Sequence, residues 1–257
     1  MNDYLVKSAR NDDEKRLIVR LQELVQKASQ GACRQSDFLD LRQQELAQAA
    51  AVNESAIGWY LDGGYEEAER KRLVVYPEWE SEANARIVYL RISHKDFKEQ
   101  SLGHRDYLGA ILNLGIKRER LGDIVVQNGG AFLIVDTDLA DYICQQLTRV
   151  KHSSVVAEII PCEDFIFEPP ELTTLQLSLA SLRLDAAVAA AFNLSRSKID
   201  AIIEGGNVKL NQLEMFKGSA PVKVGDLISV RGIGRFRLEE IGGISRKGRY
   251  HVQISRW

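Results

Sequence analysis

The chain has 257 residues, of which 45% are hydrophobic and 27% charged, with a formal net charge of −2. This is the balance of a globular protein of one to three domains. No apolar run approaches the ~20 residues of a membrane span. The start Met1-Asn2-Asp3-Tyr4-Leu5-Val6-Lys7 lacks the basic-then-apolar order of a secretion signal. Cys33, Cys144 and Cys162 are too few and too scattered for a disulfide frame or a zinc site. The expectation is a cytoplasmic protein with reduced thiols, no membrane contact, no metal and no cofactor.

In chain order, Asp12 to Gln30 predicts an amphipathic helix, with Leu17, Val19 to Leu21, Leu24, Val25 and Ala28 at helical spacing and Gly31 as its stop. Asp40 is placed as N-cap of a second helix, Leu41 to Ala51. Ile57 to Leu61 is β-prone and runs into a Gly63-Gly64 turn, and the charge run Glu66 to Lys71 predicts an exposed helix. These segments define a helical N-terminal region, residues 1–72.

Residues 73–168 predict a second domain. Strands are expected at Leu73 to Tyr76 and Arg86 to Ser93, and a helix from Gly103 or His104 to Leu114. Two strands flank the Asn128-Gly129-Gly130 turn, a helix runs from Thr137 or Asp138 to Val150, and a strand covers Val155 to Ile160. From the second strand onward the succession is β-α-β-β-α-β, the plan of ferredoxin-like and RNA-recognition domains, so the fold class is α+β. On the strand at Ile87 to Ile92, Tyr89 and Arg91 share one face and offer a place to stack a base. The basic elbow Lys117, Arg118 and Arg120 is a second candidate contact for an RNA backbone. Glu163 to Thr174, with Pro169-Pro170, reads as a linker.

The stretch Arg183 to Gly232 predicts two short helices and a hairpin-like unit. Leu184, Val188, Ala191 and Phe192 form one helical face, and Ser195 caps a second helix bearing Ile199, Ile202 and Ile203. Gly205-Gly206 ends that helix, Val208 and Leu210 alternate with Lys209 and Asn211, and Val224-Gly225-Asp226 turns into a last strand, Leu227 to Arg231. From Leu182 onward, thirteen Lys and Arg face seven Asp and Glu, a net +6 that leaves −8 on residues 1–181. Such asymmetry points to a polyanionic partner.

This order resembles the small RNA-binding domain named after ribosomal protein S-four, here residues 182–257. The matching blocks are Arg183-Leu184-Asp185, Ser195-Arg196, Val208-Lys209-Leu210-Asn211, Val222-Lys223, Gly225-Asp226 and Ile228 to Gly232. FLDLRQQ (Phe38 to Gln44), GGYEEAERKRLVVYPE (Gly63 to Glu78) and HRDYLGAILNLGIKRERLGDIV (His104 to Val125) widen the resemblance to the YlmH family of bacterial proteins. The resemblance implies binding of structured RNA (ribosomal RNA and tRNA) on the large ribosomal subunit, during quality control of stalled nascent chains by alanine tailing. It implies that Arg183, Ser195, Arg196 and Lys198 grip the RNA backbone and that Lys209, Lys223 and Arg231 extend the surface.

Nothing in the sequence points to catalysis. His94, His104, His152 and His251 lie at no metal-ligand spacing, and His104-Arg105-Asp106 lacks the loops that make such a triplet a kinase motif. Asp136 and Asp138 are explained by helix capping. The rival classes are a protein-assembly or cell-division factor and an RNA-modification enzyme.

Overall fold

Helix α2 (Asp12–Ser29) begins where the Asn11 side chain accepts a hydrogen bond from the Glu14 amide, with Asp12, Asp13 and Glu14 in its first turn. Those carboxylates face the positive end of the helix dipole. The helix buries Ile18, Leu21, Val25 and Ala28. α1 (Asp3–Lys7) precedes it, and α3 (Leu41–Ala51) opens on a capping box of Asp40 and Gln43. The helices share a core with an antiparallel sheet of β1 (Arg34–Leu39), β2 (Ile57–Asp62) and β3 (Lys71–Pro77), in the order β1-β3-β2. The N-terminal region is therefore not only helical. The strand expected at Leu73 to Tyr76 is its central strand, not the first strand of the next domain. Leu73 and Val75 join the helical core while Val74 is buried on the opposite face, the continuous apolar run of a strand covered on both sides. The computed structural model describes residues 3–80, 83–95, 102–127, 129–169 and 172–257. Asn128 and Pro170, which carry part of the turn and linker expectations, lie outside them.

The next layer follows the expected succession: β4 (Ile87–His94), α4 (His104–Leu112), β5 (Leu121–Gln127), β6 (Gly130–Asp136), α5 (Thr137–Gln146), a two-residue β7 (Arg149–Val150) and β8 (Ser153–Ile160). The antiparallel sheet runs β5-β6-β4-β8-β7. Leu90, Ile92, Leu133 and Val135 meet Tyr107, Ile111, Ala140 and Ile143 of α4 and α5. α5 stops at Gln146 rather than Val150, because Leu147 leaves helical geometry and Arg149–Val150 pairs with Ser153-Ser154. Its cap is Asp136, which accepts from the Asp138 amide at 2.9 Å.

The chain divides into two compact units, Met1–Glu168 and Pro169–Trp257. The second holds β9 (Thr173–Leu179), α6 (Leu184–Phe192), α7 (Arg196–Glu204), β10 (Val208–Leu210), β11 (Leu213–Met215), β12 (Leu227–Val230), β13 (Gly234–Ile244) and β14 (Tyr250–Arg256). Its antiparallel sheet is ordered β11-β10-β12-β13-β14-β9. Leu184, Val188, Ile199 and Ile203 of the helices pack on Val208, Ile228, Val230, Phe236, Val252 and Ile254 of one sheet face. Two sequence expectations change here. The end of the expected linker is already strand, since β9 pairs with β14 from Thr173↔Arg256 onward. Leu227 to Arg231 is not the last strand: β13 and β14 follow it, their Phe236, Leu238, Val252 and Ile254 buried in the same core.

Candidate nucleic-acid interface

The two short helices set out the first group of predicted contacts. Arg183 occupies the N-cap position of α6, and its guanidinium holds the Asp185 carboxylate at 2.5 Å. That hydrogen bond raises the Arg183 pKa, with Asp200 adding to the effect through space. Asp185 also accepts from the Ala186 amide at 2.7 Å, while its own amide is held by Gly218 O at 3.0 Å. The start of α6 is thereby sewn to the loop before β12. Ser195 stands at the N-cap position of α7, yet its hydroxyl makes no bond to the helix amides and lies 3.4 Å from the Ser197 hydroxyl. The opening of α7 thus offers two hydroxyls and the first-turn amides of a helix start, with Lys198 exposed beside them. Arg196 opens the helix, and its side chain lies outside what the structure describes.

The strand residues are not on the same surface. Val208 is in the core and Leu210 packs against it, so Lys209, between them, points away from the helices. Its cross-strand neighbours are Glu214 and Ser229, and Ser229 in turn faces Arg235. Arg235 lies over the Trp257 ring at 4.6 Å. Lys223 is exposed in a loop tied by Asp226, whose carboxylate accepts from the Lys223 amide at 2.9 Å. Arg231 is exposed just past β12, its amide donating to Asn207 O at 2.8 Å. The cations of the second unit therefore fall into a helix-side group at Arg183 and Lys198 and a sheet-side group at Lys209. Residues 217, 237, 246, 247 and 249 are further exposed cations that the family motifs do not single out.

The secondary candidates are mostly occupied. Tyr89 donates to Gly64 O, and its ring lies 5.2 Å from that of Phe165. Phe165 also meets Tyr65 at 5.2 Å and Phe132 at 5.3 Å, while Phe167 meets Tyr65 at 4.7 Å. The face that a base would stack on is thus covered by the segment after β8, pinned where Gln127 donates to Ile166 O at 2.8 Å. Arg91 sits 3.6 Å from Glu158 and 5.9 Å from the Phe132 ring centre. In the elbow, Arg118 donates to Leu121 O and Gly122 O at 2.9 and 3.0 Å. Burial, reinforced by neighbouring Arg70, pushes its pKa down to about 10. Arg120 pairs with Asp136 at 3.2 Å and Asp37 at 3.8 Å. Lys117 alone of the three is exposed.

The charged block Glu66 to Lys71 forms no helix. Asp123 of β5, 9% exposed, accepts from the Tyr65 hydroxyl at 2.9 Å, the Glu69 amide at 2.7 Å and the Arg70 amide at 3.2 Å. Burial raises the Asp123 pKa despite those donors, and burial beside that carboxylate raises the Tyr65 pKa as well. Arg70 reaches Leu121 O at 3.0 Å and Phe38 O at 2.7 Å. Next along, Arg72 is buried against Asp136 at 2.9 Å and also donates to Ser36 O and Ala85 O. The loop welds the N-terminal sheet to the β5–β6 side of the second sheet.

Two comparisons decide the kinship. A profile described as the putative RNA-binding domain in YlmH matches residues 82–164. A Bacillus subtilis (strain 168) protein named ribosome-associated protein quality control protein P2 is 34% identical over 223 residues, 86% of each chain. The chain belongs to the YlmH family. A solved structure, cell division protein ylmH from Streptococcus pneumoniae, matches with a TM-score of 0.52 at 21% identity, covering 62% of this chain and 98% of its own. That likeness is one of fold. Among the described residues of this YlmH-family chain, no helix is long and apolar enough to cross a membrane, and no three His, Cys, Asp or Glu side chains gather as a metal site would require.

Proposed function

We propose that the chain is a non-catalytic RNA-binding protein of translation. In this reading it engages ribosomal RNA and tRNA on the large ribosomal subunit in the quality control of stalled nascent chains, in support of alanine tailing. Residues 182–257 act as an S-four-type domain. Arg183, Ser195, Arg196 and Lys198 hold RNA backbone at the helix starts, and Lys209, Lys223 and Arg231 meet RNA on the remaining surface. The observation that carries the reading is the concentration of exposed cations in the second unit, a net +6 from Leu182 on, in a chain of −2. The name of the Bacillus subtilis relative supports the setting. Contacts of this kind position an RNA and leave its sequence to be read elsewhere.

Ultraviolet crosslinking in cells, with sequencing of bound RNA, tests it. The native chain should concentrate reads on large-subunit RNA and tRNA, and Arg196→Glu with Lys198→Glu should lose them while the protein stays folded. Reads scattered over abundant RNA and unchanged by the substitutions would overturn the proposal. The Streptococcus pneumoniae protein is named for cell division, which favours a second reading, a cell-division or assembly factor. Partner complexes that survive nuclease and high salt would support that one, because counterion release dissolves RNA-mediated contacts.

A further inference from the structure

We infer that the β13–β14 tip, Ile244 to Arg249, is a separate RNA-backbone contact, joined to the helix starts through Arg249. The inference rests on the RNA-binding reading above. From Ile241 to Trp257 the chain carries Arg246, Lys247, Arg249 and Arg256 and no Asp or Glu, and Leu172 to Leu182 carries no charged residue. β9 and β14 are neighbours in the sheet, so this end of the unit holds positive charge with no carboxylate on either strand. Among the described residues, neither Arg246 nor Lys247 has an ion-pair partner.

The tip is also ordered in a way that presents them. The Ser245 amide donates to Arg249 O at 2.7 Å, the Gly248 amide to Ser245 O at 2.9 Å and the Arg249 amide to the Ser245 hydroxyl at 3.0 Å. Gly248 takes a φ of +73°, which lets the turn close on so few residues. Arg246 and Lys247 are left at the apex, beside Ile244 at 61% exposure. Cations on a fixed turn lose less backbone freedom on meeting phosphates than cations on a loose loop. Arg249 points the other way: its guanidinium holds the Ser178 hydroxyl at 2.9 Å and the Ser178 carbonyl. There it lines a cavity of about 560 Å3 together with Arg183, Ser181, Asp185 and Asp200. A pocket of that size admits one nucleotide. Arg183, paired with Asp185, and Arg249 thus share one nucleotide-sized recess with Asp200, its charges balanced, and the unbalanced positive charge lies outward at the tip.

The experiment uses the full chain and purified large-subunit ribosomal RNA, with binding measured across a salt series for the native chain and for Arg246→Gln with Lys247→Gln. Loss of two phosphate contacts should reduce the slope of log affinity against log salt by about 1.5, at roughly 0.7–0.9 per contact. It should weaken binding about tenfold or more near physiological salt, with an unchanged melting temperature. An unchanged slope and affinity in a native chain that does bind RNA would overturn the inference and leave the proposed function standing. A native chain that binds no RNA would overturn both. Wild-type slope in a Lys198→Gln variant, alongside a reduced slope in the tip variant, would place the main contact at the tip rather than at α7.

Discussion

The basic residues singled out in the two units are used in opposite ways. In the first, Arg70, Arg72, Arg118 and Arg120 turn inward onto carbonyls and the carboxylates of Asp136 and Asp37. In the second, Lys198, Lys209, Lys223 and Arg231 are exposed. A count of cations does not separate the two cases. What separates them is whether an acceptor of the same chain is within reach, since a buried guanidinium without one would be too costly to keep.

The contrast can be broken most forcefully at Arg72. Arg72→Ala leaves Asp136 buried without its closest cation and should destabilise the first unit by about 3–5 kcal/mol. Denaturant titration would show this, and RNA affinity of the protein that remains folded should be unaltered. Tyr65→Phe is milder: it removes one donor from the buried Asp123 carboxylate and should cost about 1.5–3 kcal/mol in the same assay.

Acid sharpens the comparison next. Burial opposes the charge on Asp136, but the Asp138 amide, Arg72 and Arg120 outweigh it and hold the pKa below the ordinary carboxylate value. The stabilisation is therefore complete above about pH 4 and lost as pH falls through the lowered folded value. Melting temperature plotted against pH should drop in that window, and Asp136→Asn should flatten the drop. At the small end, Lys198→Ala should change stability by no more than about 0.5 kcal/mol. Its RNA salt slope should still fall by about 0.7–0.9. A large loss of stability there would show that the second unit also uses its cations internally.

Much of the fold is legible in the sequence. α2 and α3 can be read from their apolar spacing and caps because those signals are local, and the Gly205-Gly206 exit of α7 stands where glycine is expected, with Gly206 at φ +68°. The block Glu66 to Lys71 misleads because its conformation is set by Asp123, more than fifty positions away, which no periodicity in the block reveals. β9 is a different failure: Leu175, Leu177 and Leu179 alternate with Thr174, Gln176 and Ser178, a period-two pattern overshadowed by the prolines before it. At the candidate site, residue types are readable but direction is not. That Lys209 and Lys198 lie on different faces depends on how α7 packs on β10, and that Phe165 covers Tyr89 depends on where the chain goes after β8.

The place of β9 at the far edge of its sheet bears on how the second unit comes together during synthesis. β9 leads the unit, yet among the described residues its partner in the sheet is β14 alone, with Gln176 bonded to Gln253 across 77 positions. The helices and the β10 to β13 strands, joined mostly by shorter connections, are made in between. Closing the long loop is entropically costly, and β9, the first strand of the unit to be made, cannot pair before β14, the last. Until β14 follows, the backbone edge of β9 has no strand to pair with, and only α6 is on hand to cover Leu175, Leu177 and Leu179.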